Sequence, residues 1–155
     1  MAFASHLGPW LLGTVKNTTG TVAGQIRNMG ATIVAQQAPV TYTDGTASVA
    51  FVLPAGASIL AIDLFQNVAF TSGGTGTVTV YVNGTAITGA ITISTGSTGK
   101  QSLAIGTTNP TLVTNVGSTD AIITYTFGTV TAGSGIISAS YIVRGSDGSA
   151  NPSQV

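Results

Sequence analysis

The sequence predicts an all-β protein: an antiparallel β-sandwich, jelly-roll-like in topology, with an extended N-terminal arm. Apolar and polar residues alternate with a period of two over much of the chain, and Asp-Gly and Asn-Gly pairs separate two sets of such runs. No run of helical periodicity competes with them, and threonine, which suits strand faces, is abundant. These patterns predict the fold class but not the order of the strands.

Composition divides the chain of 155 residues into three parts. Residues 1–30 are rich in glycine and threonine and contain no long alternating run, so we expect an extended docking arm. Residues 31–144 carry the alternating runs and form the predicted β-sandwich domain. Residues 145–155 are polar and interrupted by glycine and proline, which is typical of a flexible tail.

The first predicted hairpin is centred on Asp44 and Gly45, a pair that favours two-residue β-turns. Such a turn places Val40 opposite Val49 in the neighbouring strand. The apolar residues of both strands then share one face, which is predicted to be buried: Val40, Tyr42, Ala47, Val49, Phe51 and Leu53. The register implied by the turn therefore agrees with the hydrophobic pattern.

A second predicted hairpin is centred on Asn83 and Gly84. The expected opposing pairs are Val82 with Thr85, Val80 with Ile87, and Val78 with Gly89. The valines fall on one face and alternate with threonine and tyrosine, so this hairpin also has one apolar and one polar side.

Further alternating or short apolar runs predict strands at 60–70, 101–105, 111–116, 123–127 and 137–143, which makes eight to ten strands in all. In the first of these runs the residues expected to face the core are Leu60, Ile62, Leu64, Val68 and Phe70. Several apolar residues fall on the opposite, outer faces, namely Ile59, Phe65, Ile122, Ile136 and Ile142. Apolar side chains on outer faces of a nearly uncharged protein favour packing between subunits. The alternative is a surface of threonine and serine hydroxyls that faces solvent, with single exposed apolar residues among them.

Charged residues make up 5% of the chain, against about a quarter in ordinary globular proteins. The cations are Lys16, Arg27, Lys100 and Arg144, and the anions are Asp44, Asp63, Asp120 and Asp147. A net charge of zero disfavours nucleic acid and anionic membranes as partners, and no apolar run is long enough to span a membrane. The absence of cysteine excludes disulfides and thiolate metal sites.

Catalysis requires converging ionisable groups, and the sequence offers few. Its single histidine, His6, lies in the arm, glutamate is absent, and the aspartates are well separated. We therefore expect neither enzymatic activity nor a cofactor. Asp44 is interpreted as a turn residue and Asp120 as the start of a strand, in preference to calcium ligands. Asp63 is expected to be solvated or paired with a cation, or alternatively to form a salt bridge between subunits.

The arm contains the residues most suited to docking on a partner. They are Leu7, Pro9, Trp10, Leu11, Leu12, Lys16 and Arg27. A tryptophan flanked by leucines is typical of the anchors that dominate interface energies. The two arm cations suit a partner surface of acidic character. The alternative is that the apolar residues fold back and cover one end of the sandwich.

The opening run, MAFASHLGPWLLGTVKNTTGT, resembles the N-termini of small virion proteins encoded by tailed bacteriophages. The segments LPAGASILAIDL, TVTVYVNGT and TAGSGIISASYIV resemble β-sandwich modules of phage head-decoration (cement) proteins and of head or tail fibres. The resemblance covers most of the chain but includes no catalytic signature.

The resemblance implies a cement protein, made in the host cytoplasm and placed on the outer capsid surface of the virion. Such a protein bridges neighbouring coat subunits, often as a trimer, so the major capsid protein is the expected partner and a homo-oligomer the expected state. The alternative is a receptor- or glycan-binding module of a phage fibre. The family has no catalytic residues to transfer, and the arm alone corresponds to capsid docking.

Overall fold

A computed structural model describes residues 33–143, and this part of the chain is all-β, as predicted. Its elements in chain order are β1 (Val34–Thr41), β2 (Ser48–Leu53), β3 (Ala57–Val82), β4 (Thr85–Ala86), β5 (Ile91–Thr92), β6 (Gly99–Leu103), α1 (Pro110–Thr114) and β7 (Ala121–Val143). All strand pairs are antiparallel, and the seven strands belong to one hydrogen-bonded sheet.

The two longest strands, β3 and β7, form a central ribbon. They pair from Ala57 with Val143 at one end to Val82 with Ile123 at the other. The register shifts several times between Gln66 and Thr77, and this irregular stretch divides the ribbon into two halves. The first half contains the pair Ala57 and Val143, and the second half contains the pair Val82 and Ile123. Strands β1 and β6 flank the first half, and strands β2, β4 and β5 flank the second. A bulged ribbon bends, so the two halves can fold toward each other.

Both halves contribute to a single hydrophobic core. Its side chains with at most 1% exposure include Val40, Ile62, Leu64, Phe70 and Ile137, and from the second half Leu53, Val80, Val82, Ile87 and Ile123. The sheet therefore closes over one core with two layers, as in a β-sandwich. The jelly-roll order of strands and the N-terminal arm stay predictions.

Two glycines of β7 make the close approach at the bend possible. Gly133 has φ +121°, and a Cβ placed there would lie 2.6 Å from the Phe70 backbone and ring. A Cβ at Gly135 would overlap the carbonyl oxygen of Phe65. A larger residue at either position would push β7 away from β3.

The hairpin predicted at Asp44 is wrong, because its two strands pair with β7 and not with each other. Strand β1 pairs with residues 134–141 of β7, whereas β2 pairs with residues 121–125, so the segment between them crosses from one half to the other. Asp44 does lie in a turn, since its N–H donates to the carbonyl of Thr41 at 3.1 Å. The turn caps β1 instead of joining two paired strands. Consequently three residues predicted to be buried are exposed, namely Tyr42, Ala47 and Val49.

The second hairpin is confirmed close to its turn. Val82 pairs with Thr85, and the N–H of Ile87 donates to the carbonyl of Val80 at 2.9 Å. Farther along, Val78 pairs with Ile91 and not with the predicted Gly89. The cause is local: the buried hydroxyl of Thr88 accepts the N–H of Val80 at 3.0 Å, which interrupts the backbone ladder.

Bulges also reverse two expected orientations in β3. The register shift between Ile59 and Ala61 buries Ile59 and exposes Leu60, the opposite of the prediction. The next shift leaves Val68 exposed although it continues the apolar alternation. An extra residue inserted in one strand turns the following side chain to the other face, so alternation alone misassigns these positions.

The strand predicted at 111–116 is instead the short helix α1. Pro110 occupies its first turn, where a fixed φ favours helix and the missing N–H costs nothing. The N–H of Asn115 donates to the carbonyl of Thr111 at 3.0 Å and ends the helix. No helix within residues 33–143 is long and apolar enough to cross a membrane.

Candidate interaction surfaces

All seven residues predicted to dock on a partner lie outside the described residues. They are Leu7, Pro9, Trp10, Leu11, Leu12, Lys16 and Arg27. The geometry of residues 33–143 therefore bears on the rest of the surface: the strand edges, the two outer faces of the sheet, and the ionisable groups.

The free edges of β1 and β2 are joined by a glutamine. The side-chain nitrogen of Gln36 donates to the backbone carbonyl of Val52 at 3.0 Å and to the hydroxyl of Tyr141 at 2.7 Å. Strand β1 also contains Pro39, which has no backbone N–H to donate. One carbonyl of β2 is thus occupied by a side chain and is unavailable to a strand of another molecule.

The opposite edges are covered in the same way. Gln101 of β6 donates to the carbonyl of Thr92 at 2.6 Å and accepts the N–H of Ser94 at 3.0 Å. The side chains of Thr108 and Asn109 both donate to the carbonyl of Ala86, at 3.0 Å and 2.8 Å. These three backbone groups are therefore unavailable for pairing with a strand of another molecule.

One outer face carries an ion pair, and we call it the charged face. Its residues are Asp63 and Phe65 of β3, Lys100 and Ser102 of β6, and Ile136 and Ser138 of β7. Lys100 Nζ lies 3.1 Å from Asp63 Oδ2 and 5.9 Å from the centre of the Phe65 ring. The Ser102 hydroxyl donates to Asp63 Oδ1 at 2.6 Å. The expectation that Asp63 pairs with a cation is confirmed.

The other outer face is uncharged and partly apolar, and we call it the neutral face. It consists of Val49 and Val52 of β2, Ile122, Thr124 and Thr126 of β7, and Tyr81 of β3. Val49, Val52 and Ile122 are 63%, 47% and 45% exposed, and Val52 is the direct pairing partner of Ile122. Exposed apolar side chains on paired and neighbouring residues form a patch rather than scattered single residues.

The sequence identified part of the neutral face and missed the rest. Ile122 was expected on an outer face and is exposed, whereas Val49 was assigned to the core. The register shift between Val49 and Phe51 breaks the alternation that the assignment assumed. A signal was present, since residues 49–53 are apolar without interruption and so do not specify which side chains face inward.

The carboxylate of Asp44 is held by three hydrogen bonds. Its carboxylate accepts the Tyr125 hydroxyl at 2.5 Å, the N–H of Thr41 at 2.7 Å and the Thr41 hydroxyl at 2.9 Å. Burial of the carboxyl raises its pKa, but the hydrogen bonds outweigh burial and hold the pKa of Asp44 below its ordinary value. Burial and the adjacent carboxylate raise the pKa of Tyr125 well above its ordinary value. The Asp44 carboxylate therefore anchors the turn after β1 to Tyr125 of β7.

Within residues 33–143, no three His, Cys, Asp or Glu side chains lie close enough together to hold a metal ion.

No protein-family model matches the sequence, and no curated protein matches it. Among solved structures, the chain is similar to one from the cyanophage Pam1 capsid asymmetric unit. The TM-score is 0.55 at 19% identity, over 84% of this chain and 98% of the other. The similarity shows the fold, which is that of a small all-β domain. The matched chain of the capsid asymmetric unit has this architecture over nearly the whole of its own length.

Proposed function

We propose that the protein is a structural component of a phage virion that binds the outer capsid surface and stabilises the shell by bridging coat subunits. The observation that carries this proposal is the shared fold with a chain of a phage capsid asymmetric unit, 98% of which is covered. The neighbour is therefore itself a small domain of comparable length. The major capsid protein is the proposed partner, and the proposed role involves no catalysis and no cofactor.

The surface of residues 33–143 supports a binding role. Some backbone groups at its strand edges are occupied by side chains, and it has two outer faces of different character, one with an ion pair and one neutral. A protein that binds an assembled lattice more tightly than free subunits shifts the equilibrium toward the intact shell. Many identical contacts on a symmetric shell make modest individual interfaces sufficient.

In this proposal the arm makes the principal contact with the capsid. Trp10 with Leu11 and Leu12 provides the apolar anchor, and Lys16 and Arg27 complement an acidic coat surface. The assembly state implied is a homo-oligomer, with a trimer favoured because trimers suit local three-fold positions of a shell.

The first test is the number of copies in purified particles, measured by quantitative mass spectrometry against the major coat protein. A ratio of the same order as the coat protein is expected for a cement protein. A few copies per particle would replace this proposal with the fibre alternative, in which the domain binds a receptor or glycan. Complete absence from particles would overturn both.

A second test concerns the arm in the full-length protein. Trp10→Ala combined with Leu11→Ala is expected to reduce binding to undecorated capsids at least about a hundredfold, because aromatic anchors dominate interface energies. Asn17→Ala, in the same arm but outside the docking set, is the matched control and should bind normally. Normal binding by the double variant would contradict the assignment of the arm.

A further inference from the structure

We propose that Asn83 is a self-modification site, at which the side-chain amide is lost spontaneously through a cyclic imide formed with Gly84. The two residues form the turn between β3 and β4, and both are exposed. Asn83 has a φ of 48° and Gly84 a φ of 79°, as in a two-residue turn between paired strands. The inference concerns the chemistry of this turn and does not depend on the proposed virion role.

The reaction begins when the backbone nitrogen of Gly84 attacks the side-chain carbonyl carbon of Asn83. The new carbon–nitrogen bond closes the imide ring, the bond to Nδ2 breaks, and the amide nitrogen leaves as ammonia with the proton from the Gly84 nitrogen. Water then opens the ring. Attack at the side-chain carbonyl gives aspartate, whereas attack at the backbone carbonyl gives isoaspartate, in which the chain runs through the former side chain. Water is the co-reactant, and nothing is oxidised or reduced.

The surroundings of the turn favour this attack. Gly84 has no side chain to crowd its nitrogen, and a Cβ placed there would meet no atom within 4 Å. The N–H of Ile122 donates to Asn83 Oδ1 at 2.8 Å, which polarises the carbonyl and stabilises the negative charge that develops on its oxygen during attack. Within residues 33–143, Nδ2 of Asn83 donates no hydrogen bond, so the leaving amide is not held in place.

The turn must open for the Gly84 nitrogen to reach the carbonyl carbon, and the short strand β4 allows this. Strand β4 consists of Thr85 and Ala86 and forms two pairs with β3. Exposed hairpin ends of this kind open locally at a much smaller free-energy cost than global unfolding. Thr108 and Asn109 hold the carbonyl of Ala86, so the opening is confined to the tip. The ring can therefore close while the domain stays folded.

The related pair Asp44 and Gly45 is expected to resist the same chemistry in the folded protein. An aspartate closes the ring readily only when its carboxyl is protonated, because water is then the leaving group. The Asp44 carboxylate accepts hydrogen bonds from the Tyr125 hydroxyl and from the N–H and hydroxyl of Thr41. These bonds favour the ionised form and hold the side chain in place. Two turns of similar sequence therefore differ in reactivity because of their tertiary contacts.

The two products affect the fold differently. Aspartate at position 83 keeps an oxygen that accepts the N–H of Ile122, and it adds a negative charge to the end of the sheet that already carries Asp120. Isoaspartate lengthens the backbone, so the N–H and the side-chain oxygen of position 83 can no longer both pair with Ile122 as they do in Asn83. We therefore expect the isoaspartate form to unfold at a lower temperature.

The test follows the full-length protein in mildly alkaline buffer by released ammonia and by peptide mapping with electron-based fragmentation, which distinguishes isoaspartate from aspartate. We expect Asn83 to be modified at least about a hundredfold faster than Asn67, which is also exposed but precedes the branched Val68. Asn83→Gln should remove the fast release of ammonia, because its longer side chain closes a larger ring. Thermal unfolding checks that this variant folds.

The same time course in urea separates the effect of the fold from that of the sequence. The rate at Asn83 in the folded protein should lie within about tenfold of the rate in urea, because the tip opens locally. Isoaspartate at Asp44 should form at least about a hundredfold more slowly in the folded protein than in urea, because its release requires the turn to leave β7. Full protection of Asn83 by the fold, equal rates at Asn83 and Asn67, or equal rates at Asp44 in both conditions would each overturn the inference.

Discussion

The hydroxyl of Tyr125 donates to the carboxylate of Asp44 at 2.5 Å, across 81 positions of sequence. Tyr125 is buried in the core through β7, and Asp44 lies in the turn that follows β1. The carboxylate also accepts both the N–H and the hydroxyl of Thr41. One side chain thus ties the end of β1 to β7, at the point where the chain leaves the first half of the sheet for the second.

Removal of the Tyr125 hydroxyl is expected to destabilise the fold. Tyr125→Phe should lower the free energy of unfolding by about 1–3 kcal/mol, because a hydrogen bond to a charged group is lost. Urea denaturation measures the change. Tyr42→Phe, an exposed tyrosine of the same turn, is the control and should change stability by less than about 0.5 kcal/mol. Equal effects of the two variants would contradict the anchoring role.

The same site predicts a pH dependence. Because the folded-state pKa of Asp44 is lowered from its ordinary value of 3.8, its stabilising effect is present above that value and is lost as the pH falls through the lower, folded-state pKa. Tyr125 behaves in the opposite sense: its raised pKa stabilises the fold below the ordinary value of 10.0, and the effect is lost as the phenol ionises at much higher pH. Asp44→Asn should flatten the acid limb of a stability-against-pH curve, and an unchanged acid limb would refute the assignment.

Two adjacent glutamines provide a test of the covered edge. Gln36→Ala should lower the free energy of unfolding by about 1–2 kcal/mol and increase aggregation, since the carbonyl of Val52 and the hydroxyl of Tyr141 lose their donor. Gln37→Ala, one position along and exposed, should leave both quantities near wild type. Denaturation and light scattering report the two effects. If the Gln36→Ala protein were as soluble and as stable as wild type, the two hydrogen bonds of Gln36 would contribute neither to stability nor to protection against aggregation.

The bend of the ribbon predicts strong sensitivity at Gly133. Gly133→Ala should lower the free energy of unfolding by about 2–4 kcal/mol, because the added Cβ meets Phe70 at 2.6 Å and φ is +121°. Gly73→Ala, with no atom within 4 Å of its added Cβ, should be close to neutral. Chemical denaturation distinguishes them, and similar stabilities for the two variants would mean that β3 and β7 do not approach as closely as described.

Two threonines of the neutral face should respond in opposite directions to the same substitution. Thr124 Oγ1 is buried without a hydrogen-bond partner, so Thr124→Val should raise the free energy of unfolding by about 1 kcal/mol. Thr126 Oγ1 accepts the N–H of Ala47 at 3.0 Å, so Thr126→Val should lower it by a similar amount. Calorimetry measures the change in unfolding free energy for both variants. A loss of stability in Thr124→Val would contradict the absence of a hydrogen-bond partner for its hydroxyl.

Much of the fold followed from side-chain alternation, which depends only on near neighbours in sequence. Val78, Val80 and Val82 are buried as predicted, because residues two apart in a strand share a face. The turn at Asn83 is confirmed for the same local reason, since Asn-Gly favours a two-residue turn whatever surrounds it. Pairing with a cation was one of the expectations for Asp63. No sequence pattern near Asp63 indicated that the cation would be Lys100 of the neighbouring strand.

The sequence by itself determined the all-β class, the turn of the second hairpin, the scarcity of charge and the cluster of apolar residues at positions 7–12, because these depend on composition and local spacing. Tertiary structure alone decided that β1 and β2 pair with opposite halves of β7 and not with each other. It also decided which of Ile59 and Leu60 is buried and that Val49 faces outward. These outcomes depend on bulges and on partners tens of residues away, where the gain from packing one shared core exceeds local preference.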